Sequence, residues 1–198
     1  MEEQVTAPAS ASAPKASGAR VPSIVVILVA ILLCASYFLP FTTAKEDSTI
    51  ANEYVSTLEV ADGSGITFAD MKTPSFVMWT RTYKALSDEV SDTLSTSANG
   101  YQVMFVIFVA SIAVAALAAL FGLLRKAVPT VLFALANLAV NVFIGKYFGT
   151  YGPVASGGSY DWAPGHVAML AAAAVLAAAG IWLFVAKHAE KKATVVGA

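Results

Sequence analysis

Two asparagines in the third apolar stretch of the chain are the polar side chains that could form a transport or coupling site. Asn137 and Asn141 are four residues apart, so both project from one face of a helix. An amide in hydrocarbon is costly without a partner, so this face is expected to point into a helix bundle. It either lines a polar pathway with Thr130, Ser111 or Ser36, or joins the third helix to a neighbour through hydrogen bonds. The sequence favours the packing role, because no Asp, Glu, Lys or Arg lies at mid-depth of any apolar stretch.

A second candidate site is an amphipathic helix predicted near residues 74–90. Thr73 and Pro74 are a typical helix start, with the proline in the first turn where its missing N–H costs nothing. Apolar side chains then recur at spacings of three and four, which indicates one apolar face. That face either rests on the outer ends of the bundle or docks a partner, and the sequence favours the former because an amphipathic face usually covers the nearest apolar surface. The residues of this candidate partner-binding face are Phe76, Trp79, Tyr83 and Leu86.

Other reactive residue types occur without the partners that catalysis or metal binding needs. Cys34 is the only cysteine, so neither an intramolecular disulfide nor dithiol redox chemistry is predicted. His166 is interpreted as an ordinary histidine at the outer membrane interface. No Gly-x-Ser-x-Gly or His-Glu-x-x-His motif is present, so we expect no catalytic residues, no cofactor and no enzymatic activity. The acidic residues of the predicted outer loop lack the spacing of a calcium-binding loop, and no metal site is predicted from Glu46, Asp47, Glu53, Glu59, Asp62 and Asp70.

Four stretches of 19 to 32 residues contain no Asp, Glu, Lys or Arg, and these stretches must position the side chains above. A helix needs roughly 20 apolar residues to cross a bilayer. The chain is 58% hydrophobic and only 13% charged, whereas a soluble domain would show amphipathic periods instead. The apolar core of the first stretch is longer than that of a signal peptide, so it is expected to remain as an anchor. The sequence therefore predicts an all-α membrane protein, a bundle of four transmembrane helices at residues 21–41, 101–124, 128–147 and 164–186.

The connecting segments are assigned from their composition and from the distribution of basic residues. Residues 1–20 are rich in Ala, Ser and Pro and are predicted to be a disordered tail. Arg125 and Lys126 form a short basic loop, and basic residues beside helix ends favour the cytoplasmic side of a plasma or inner membrane. Both termini are therefore expected in the cytoplasm. The remaining segments are a partly structured extracytoplasmic loop of about 60 residues (42–100), a short outer loop (148–163) and a basic cytoplasmic tail (187–198).

Short elements of secondary structure are predicted inside the large outer loop. Stripes of small residues lie along the second and fourth predicted helices. Ser48 is a candidate N-cap for a short helix through Tyr54. Residues 56–60 and 66–68 flank a Gly-rich turn and suggest a small hairpin. Stripes of small residues permit close packing within the bundle and leave homo-oligomerisation open; they comprise Ala115, Ala119 and Gly122, and Ala168, Ala172 and Gly180.

A Leu-Pro-aromatic step ends the first helix at residues 38–41 (Phe-Leu-Pro-Phe), and residues 75–79 (Ser-Phe-Val-Met-Trp) begin the loop helix. In these features the chain resembles small bacterial four-helix membrane proteins of uncharacterised function. The resemblance covers most of the chain after residue 20 and implies a four-helix fold without implying an activity. Claudins are rejected because the paired loop cysteines and the Trp-Gly-Leu-Trp pattern are missing. Small multidrug exporters are rejected because no Glu lies in the first helix.

The sequence predicts a non-enzymatic membrane protein that acts as an accessory or interaction protein through its outer loop. The alternative is a small transporter or channel subunit that uses the face of Asn137 and Asn141. The expected partners are the lipid bilayer and a membrane or envelope protein. A net charge of −1 and the lack of a basic tract predict no nucleic-acid partner.

Overall fold

A computed structural model of the chain describes residues 18–94 and 100–196. These residues are mostly helical, which confirms the predicted fold class at that level. The predicted disordered tail lies outside the described residues except for its last three positions, and the last of these, Arg20, begins the first helix. The elements in chain order are α1 (Arg20–Ser36), β1 (Thr42–Ala44), α2 (Phe76–Leu94), α3 (Gly100–Leu123), α4 (Ala127–Thr150), β2 (Tyr160–Trp162) and α5 (Pro164–Val196).

Three of the helices, α3, α4 and α5, are long and apolar enough to cross a membrane. The apolar helix α1 has 17 residues, which corresponds to about 25 Å against a hydrocarbon core of about 30 Å. Backbone N–H groups of Phe38 and Leu39 donate to the carbonyls of Ala35 and Ser36, which continues α1 by one turn. The helix ends earlier than predicted, because the extended chain at Pro40 pairs with another segment instead of continuing the helix.

Apolar side chains cover the outside of the helices, and the buried interior contains polar ones. Leu32 of α1, Leu132 of α4 and Val167 of α5 are exposed, whereas Asn137 and Asn141 are fully buried. A protein folded in water instead exposes polar side chains and buries apolar ones. Large exposed apolar surfaces mark contact with a membrane or with another protein. The distribution is compatible with a membrane protein whose helices face lipid.

The four apolar helices form a ring in which α1 and α4 each pack between α3 and α5, and α2 packs on α3. Small residues allow these close approaches: Ala115 and Ala118 of α3 and Ala173 of α5 are buried. Gly122 of α3 lies directly against the side chain of Val26, where a Cβ would collide. This is the close helix packing that small residues permit.

Hydrogen bonds at one end of the ring join the beginning of α1 to the ends of α3 and α5. The Ala19 N–H donates to Glu190 Oε1 (2.8 Å), and Ser23 Oγ donates to the Gly122 carbonyl (2.6 Å). We call this the basic end, because the α3–α4 turn and the last turns of α5 carry most of its lysines and arginines. The helix α5 has 33 residues, or about 50 Å, so the predicted basic tail is helical through Val196.

The opposite end is covered by a structure that we call the cap, residues 40–94 and 151–163. Its sheet pairs β1 with β2 in antiparallel register, with Thr42 opposite Trp162. The sequence did not predict this sheet, because strands of three residues show no periodicity. The cap also contains 3-10 turns at Thr49–Ala51, Glu53–Val55 and Asp70–Lys72, the first two in place of the predicted short helix. The two segments of the predicted hairpin do pair antiparallel, through a bridge between Glu59 and Thr67 and backbone bonds from Val60 to Ile66 and from Phe68 to Leu58.

Candidate functional site

The two asparagines of α4 lie in a buried network of hydrogen bonds with α1 and α3. Asn141 Nδ2 donates to Asn137 Oδ1 (2.9 Å). Asn137 Nδ2 donates to the Ser111 carbonyl (2.8 Å) and to Tyr37 Oη (3.2 Å). Ser111 Oγ donates to Asn141 Oδ1 (2.7 Å), and Tyr37 Oη lies 3.3 Å from Ser111 Oγ. The polar side chains therefore satisfy one another, as buried polar groups must.

Of the three predicted partners for the asparagines, only Ser111 joins this network. Ser36 Oγ donates to the Leu33 carbonyl and Thr130 Oγ1 to the Lys126 carbonyl, both within the same stretch of chain. The sequence analysis missed Tyr37, because an aromatic residue near the end of a helix is usually an interfacial anchor. Its phenol is buried because Tyr37 lies in the turn that continues α1, four residues after the buried Leu33 and so on the same inward face.

We expect Asn137→Leu to lower the free energy of unfolding by about 1–2 kcal/mol. Leucine removes both donor bonds of this amide and leaves the Asn141 amide without its acceptor. Chemical denaturation in detergent micelles, followed by circular dichroism, measures the change. The matched control is Ser36→Ala, which removes one bond within a helix but introduces the residue with the highest helix propensity, so it is expected to cost only about 0.5 kcal/mol. Equal stability of the two variants would contradict a packing role for the network.

The candidate partner-binding face of α2 is covered by the chain itself. Phe76, Trp79 and Tyr83 are buried, and Leu86 is half-buried. The rings of Phe76 and Tyr83 pack on Phe108 of α3, with centroids 4.5 and 5.5 Å apart. The Trp79 ring meets Phe148 of α4 edge-on at 5.2 Å. This face therefore rests on the cap end of the bundle, and a partner would contact the other side of α2.

The Leu-Pro-aromatic step after α1 is the junction between the cap and the bundle. The Phe41 N–H donates to the Pro74 carbonyl (2.9 Å), which holds the start of α2. On the other side, the N–H groups of Ala163 and Gly165 donate to the carbonyls of Phe41 and Pro40 (3.2 and 2.9 Å). The Phe41 ring is buried against aromatic rings of α2, α4, β2 and α5, namely Phe76, Phe148, Trp162 and His166.

Two tyrosines of the cap remain neutral inside this packing. Burial raises the pKa of Tyr83 and of Tyr160 well above its usual value, because the interior penalises the phenolate. Tyr160 donates its hydroxyl proton to the Met71 carbonyl (2.9 Å), and Trp79 Nε1 donates to Thr42 Oγ1 (2.9 Å). The inner side of the cap is thus apolar with a few paired polar groups, which is the composition of a packed core.

His166 lies in the first turn of α5 at the cap end. Its ring stacks on Trp162 with centroids 3.7 Å apart and meets Phe41 edge-on. Within the described residues its Nε2 is buried without a hydrogen-bond partner and faces Gly145 of α4. No group of three or more His, Cys, Asp or Glu that could hold a metal ion occurs in residues 18–94 and 100–196. The ring contacts with Trp162 and Phe41 therefore hold the imidazole in place.

The outward side of α2 borders an open groove of about 510 Å³ that the sequence analysis did not identify. Arg81, Lys84 and Asp88 line it from α2, and the turn at residues 62–66 forms its other wall. Lys84 Nζ forms an ion pair with Asp88 Oδ2 (2.7 Å). The i, i+4 spacing of Lys84 and Asp88 was the available signal in the sequence. The charged side chains that line the groove are two cations, Arg81 and Lys84, and four carboxylates, Asp62, Asp88, Glu89 and Asp92.

Comparison of the chain with protein-family models, with curated proteins and with solved structures finds no match. The resemblance to small bacterial four-helix membrane proteins therefore stays a prediction. The arrangement of the described residues carries the functional interpretation.

Proposed function

We propose that this protein is a non-enzymatic accessory or interaction protein of a plasma or inner membrane, with four spans and both termini in the cytoplasm. The length of α1, together with the turn that continues it, supports the assignment of α1 as the fourth span. The orientation is supported by Arg125, Lys126 and Lys187 beside helix ends at the basic end, because such residues favour the cytoplasmic side. The cap then lies outside the cell or in the envelope space.

The observation that carries the proposal is the attachment of the cap to the bundle. Aromatic rings of α2 and backbone hydrogen bonds on both sides of Phe41 fix the cap on α3, α4 and α5. Its charged groove is therefore presented on a rigid element, which lowers the entropy cost of binding. Arg81 can pair with a partner carboxylate through two parallel hydrogen bonds. The partner is then an extracytoplasmic segment of another membrane or envelope protein that carries both acidic and basic side chains, because four carboxylates line the groove beside its two cations.

The transporter alternative depends on Asn137 and Asn141. Their hydrogen bonds to one another and to neighbouring helices favour packing over a solute pathway. A transporter would lose solute flux in reconstituted vesicles when Asn137 is replaced by Leu, with expression unchanged.

Crosslinking in native membranes followed by mass spectrometry tests the accessory function. We expect a defined envelope or membrane protein to crosslink to the cap of the wild type, and this product to be lost in Arg81→Gln/Lys84→Gln, because both groove cations are then neutral. Lys72→Gln is the control, since Lys72 belongs to the cap but does not line the groove. Recovery of the chain alone, or an unchanged product in the double variant, would contradict the proposal.

A further inference from the structure

A second open groove, of about 640 Å³, lies at the basic end between the α3–α4 turn and the last turns of α5. Arg125 and Lys126 line it from the turn, and Val128 lines it from the first turn of α4. The opposite wall is formed by α5 residues spaced at helical intervals, namely Phe184, Lys187, His188 and Lys191. The functional proposal for the cap does not involve this groove.

Positive charge dominates this groove. Four basic side chains line it, and Glu190 is the one carboxylate among its lining residues. That carboxylate is engaged, because Glu190 Oε1 accepts the Ala19 N–H (2.8 Å) and Oε2 lies 3.7 Å from Lys187 Nζ. In the described part of the chain, neither Arg125 nor Lys126 forms an ion pair. Clustered like charges repel one another, so an anion bound here would remove an unfavourable interaction.

The groove also has apolar side chains in its lining. Val128 is 56% exposed and Phe184 is 45% exposed. The groove therefore has a basic rim and an apolar wall that continues onto the exposed sides of α4 and α5. A ligand that matches both parts has an anionic group joined to a hydrocarbon chain.

The backbone at Arg125 is a further sign that its side chain has a role. Arg125 has φ 53°, in the left-handed region, where it ends α3 with N–H bonds from Arg125 to Gly122 and from Lys126 to Phe121. Glycine is the usual residue in this position because it has no Cβ to strain the backbone. An arginine here puts a permanent positive charge at the rim of the groove at the expense of backbone strain.

We propose that this groove binds the headgroup of an anionic phospholipid, with the phosphate between the α3–α4 turn and α5 and an acyl chain against Val128 and Phe184. The inference uses the proposed transmembrane arrangement, which places the groove at the boundary of the inner leaflet. Basic pockets between helices on the cytoplasmic side are suited to anionic headgroups. A free phosphate would use the same cations but would leave the apolar wall without a ligand.

The test measures the thermal unfolding midpoint of the purified protein in neutral detergent while phosphatidylglycerol is titrated. We expect the midpoint to rise and the rise to weaken with salt. Phosphatidylcholine with the same acyl chains should give at least a tenfold weaker effect. Inorganic phosphate at the same concentration should give none. A rise that phosphate alone reproduces would overturn the lipid assignment in favour of a soluble anion, and an equal response to both lipids would overturn the site.

Two variants locate the effect. Arg125→Gly suits the left-handed backbone, so the turn still forms while the charge is lost. Combined with Lys191→Gln, it should weaken the response to phosphatidylglycerol at least tenfold, whereas Lys146→Gln at the other end of α4 should leave it unchanged. An unchanged response in the double variant would overturn the proposal. This measurement needs no protein partner, so its failure is distinguishable from failure of the crosslinking experiment on the cap.

Discussion

Replacing Phe76 with Ala is expected to lower the free energy of unfolding by about 3–5 kcal/mol, the usual loss when a fully buried phenylalanine is truncated. Phe76 has no exposed surface, and its ring contacts Tyr37, Phe41 and Phe108. The alanine variant would leave a cavity where the cap, α1 and α3 meet. Chemical denaturation in detergent micelles measures the change.

The matched control is Phe38→Ala. Phe38 lies close to the same junction but is 70% exposed, so its truncation should change the free energy of unfolding of the micelle-bound protein by about 0.5 kcal/mol or less. Loss of partner crosslinking in Phe76→Ala with unchanged stability would show that this ring is a docking surface, and would contradict its role in holding the cap.

Gly165→Ala is expected to destabilise the protein by about 1–3 kcal/mol, the cost of forcing atoms into a packed site. A Cβ at Gly165 would collide with the carbonyl oxygen of Pro40 and lie 3.0 Å from Leu39 Cβ. The first turn of α5 would have to move away from the end of α1, which breaks the bond from the Gly165 N–H to Pro40. Limited proteolysis of the cap in micelles should become faster, and the thermal unfolding midpoint should fall.

Gly180→Ala in the same helix should have the opposite sign. A Cβ there would lie 3.5 Å from Val131 Cα, an ordinary van der Waals distance. Alanine is favoured over glycine inside a helix by about 0.5–1 kcal/mol. The midpoint of Gly180→Ala should therefore equal or exceed that of the wild type. A fall as large as that of Gly165→Ala would mean that any substitution of a small residue in α5 disrupts packing.

The structure changes where a partner should be sought on the cap. The amphipathic pattern at Phe76, Trp79 and Tyr83 identifies the buried side of α2, because that side carries the apolar residues. The proposed function places recognition instead on the outward side, at Arg81 and Lys84. Tyr54, 93% exposed in the cap, is an aromatic group available to a partner.

Local properties of the chain account for the features that the amino-acid sequence alone predicts. Long uncharged stretches predict helices because an apolar helix pairs every backbone group within itself, and this requires no information about neighbouring helices. The i, i+4 spacing of Asn137 and Asn141 likewise predicts a shared face. The aromatic periodicity after Pro74 predicts the amphipathic α2.

The contacts that give this protein its cap and its polar network depend on residues far apart in sequence. Tyr37 meets Asn137, Thr42 pairs with Trp162, and Gly165 approaches Pro40. Each contact requires a particular rotation and axial position of the helices that carry or flank these residues, which is set when the whole ring packs. Hydrophobicity favours apolar surroundings for α1, α3, α4 and α5 alike. Which polar groups meet inside is decided by close packing and by the cost of leaving any of them unpaired.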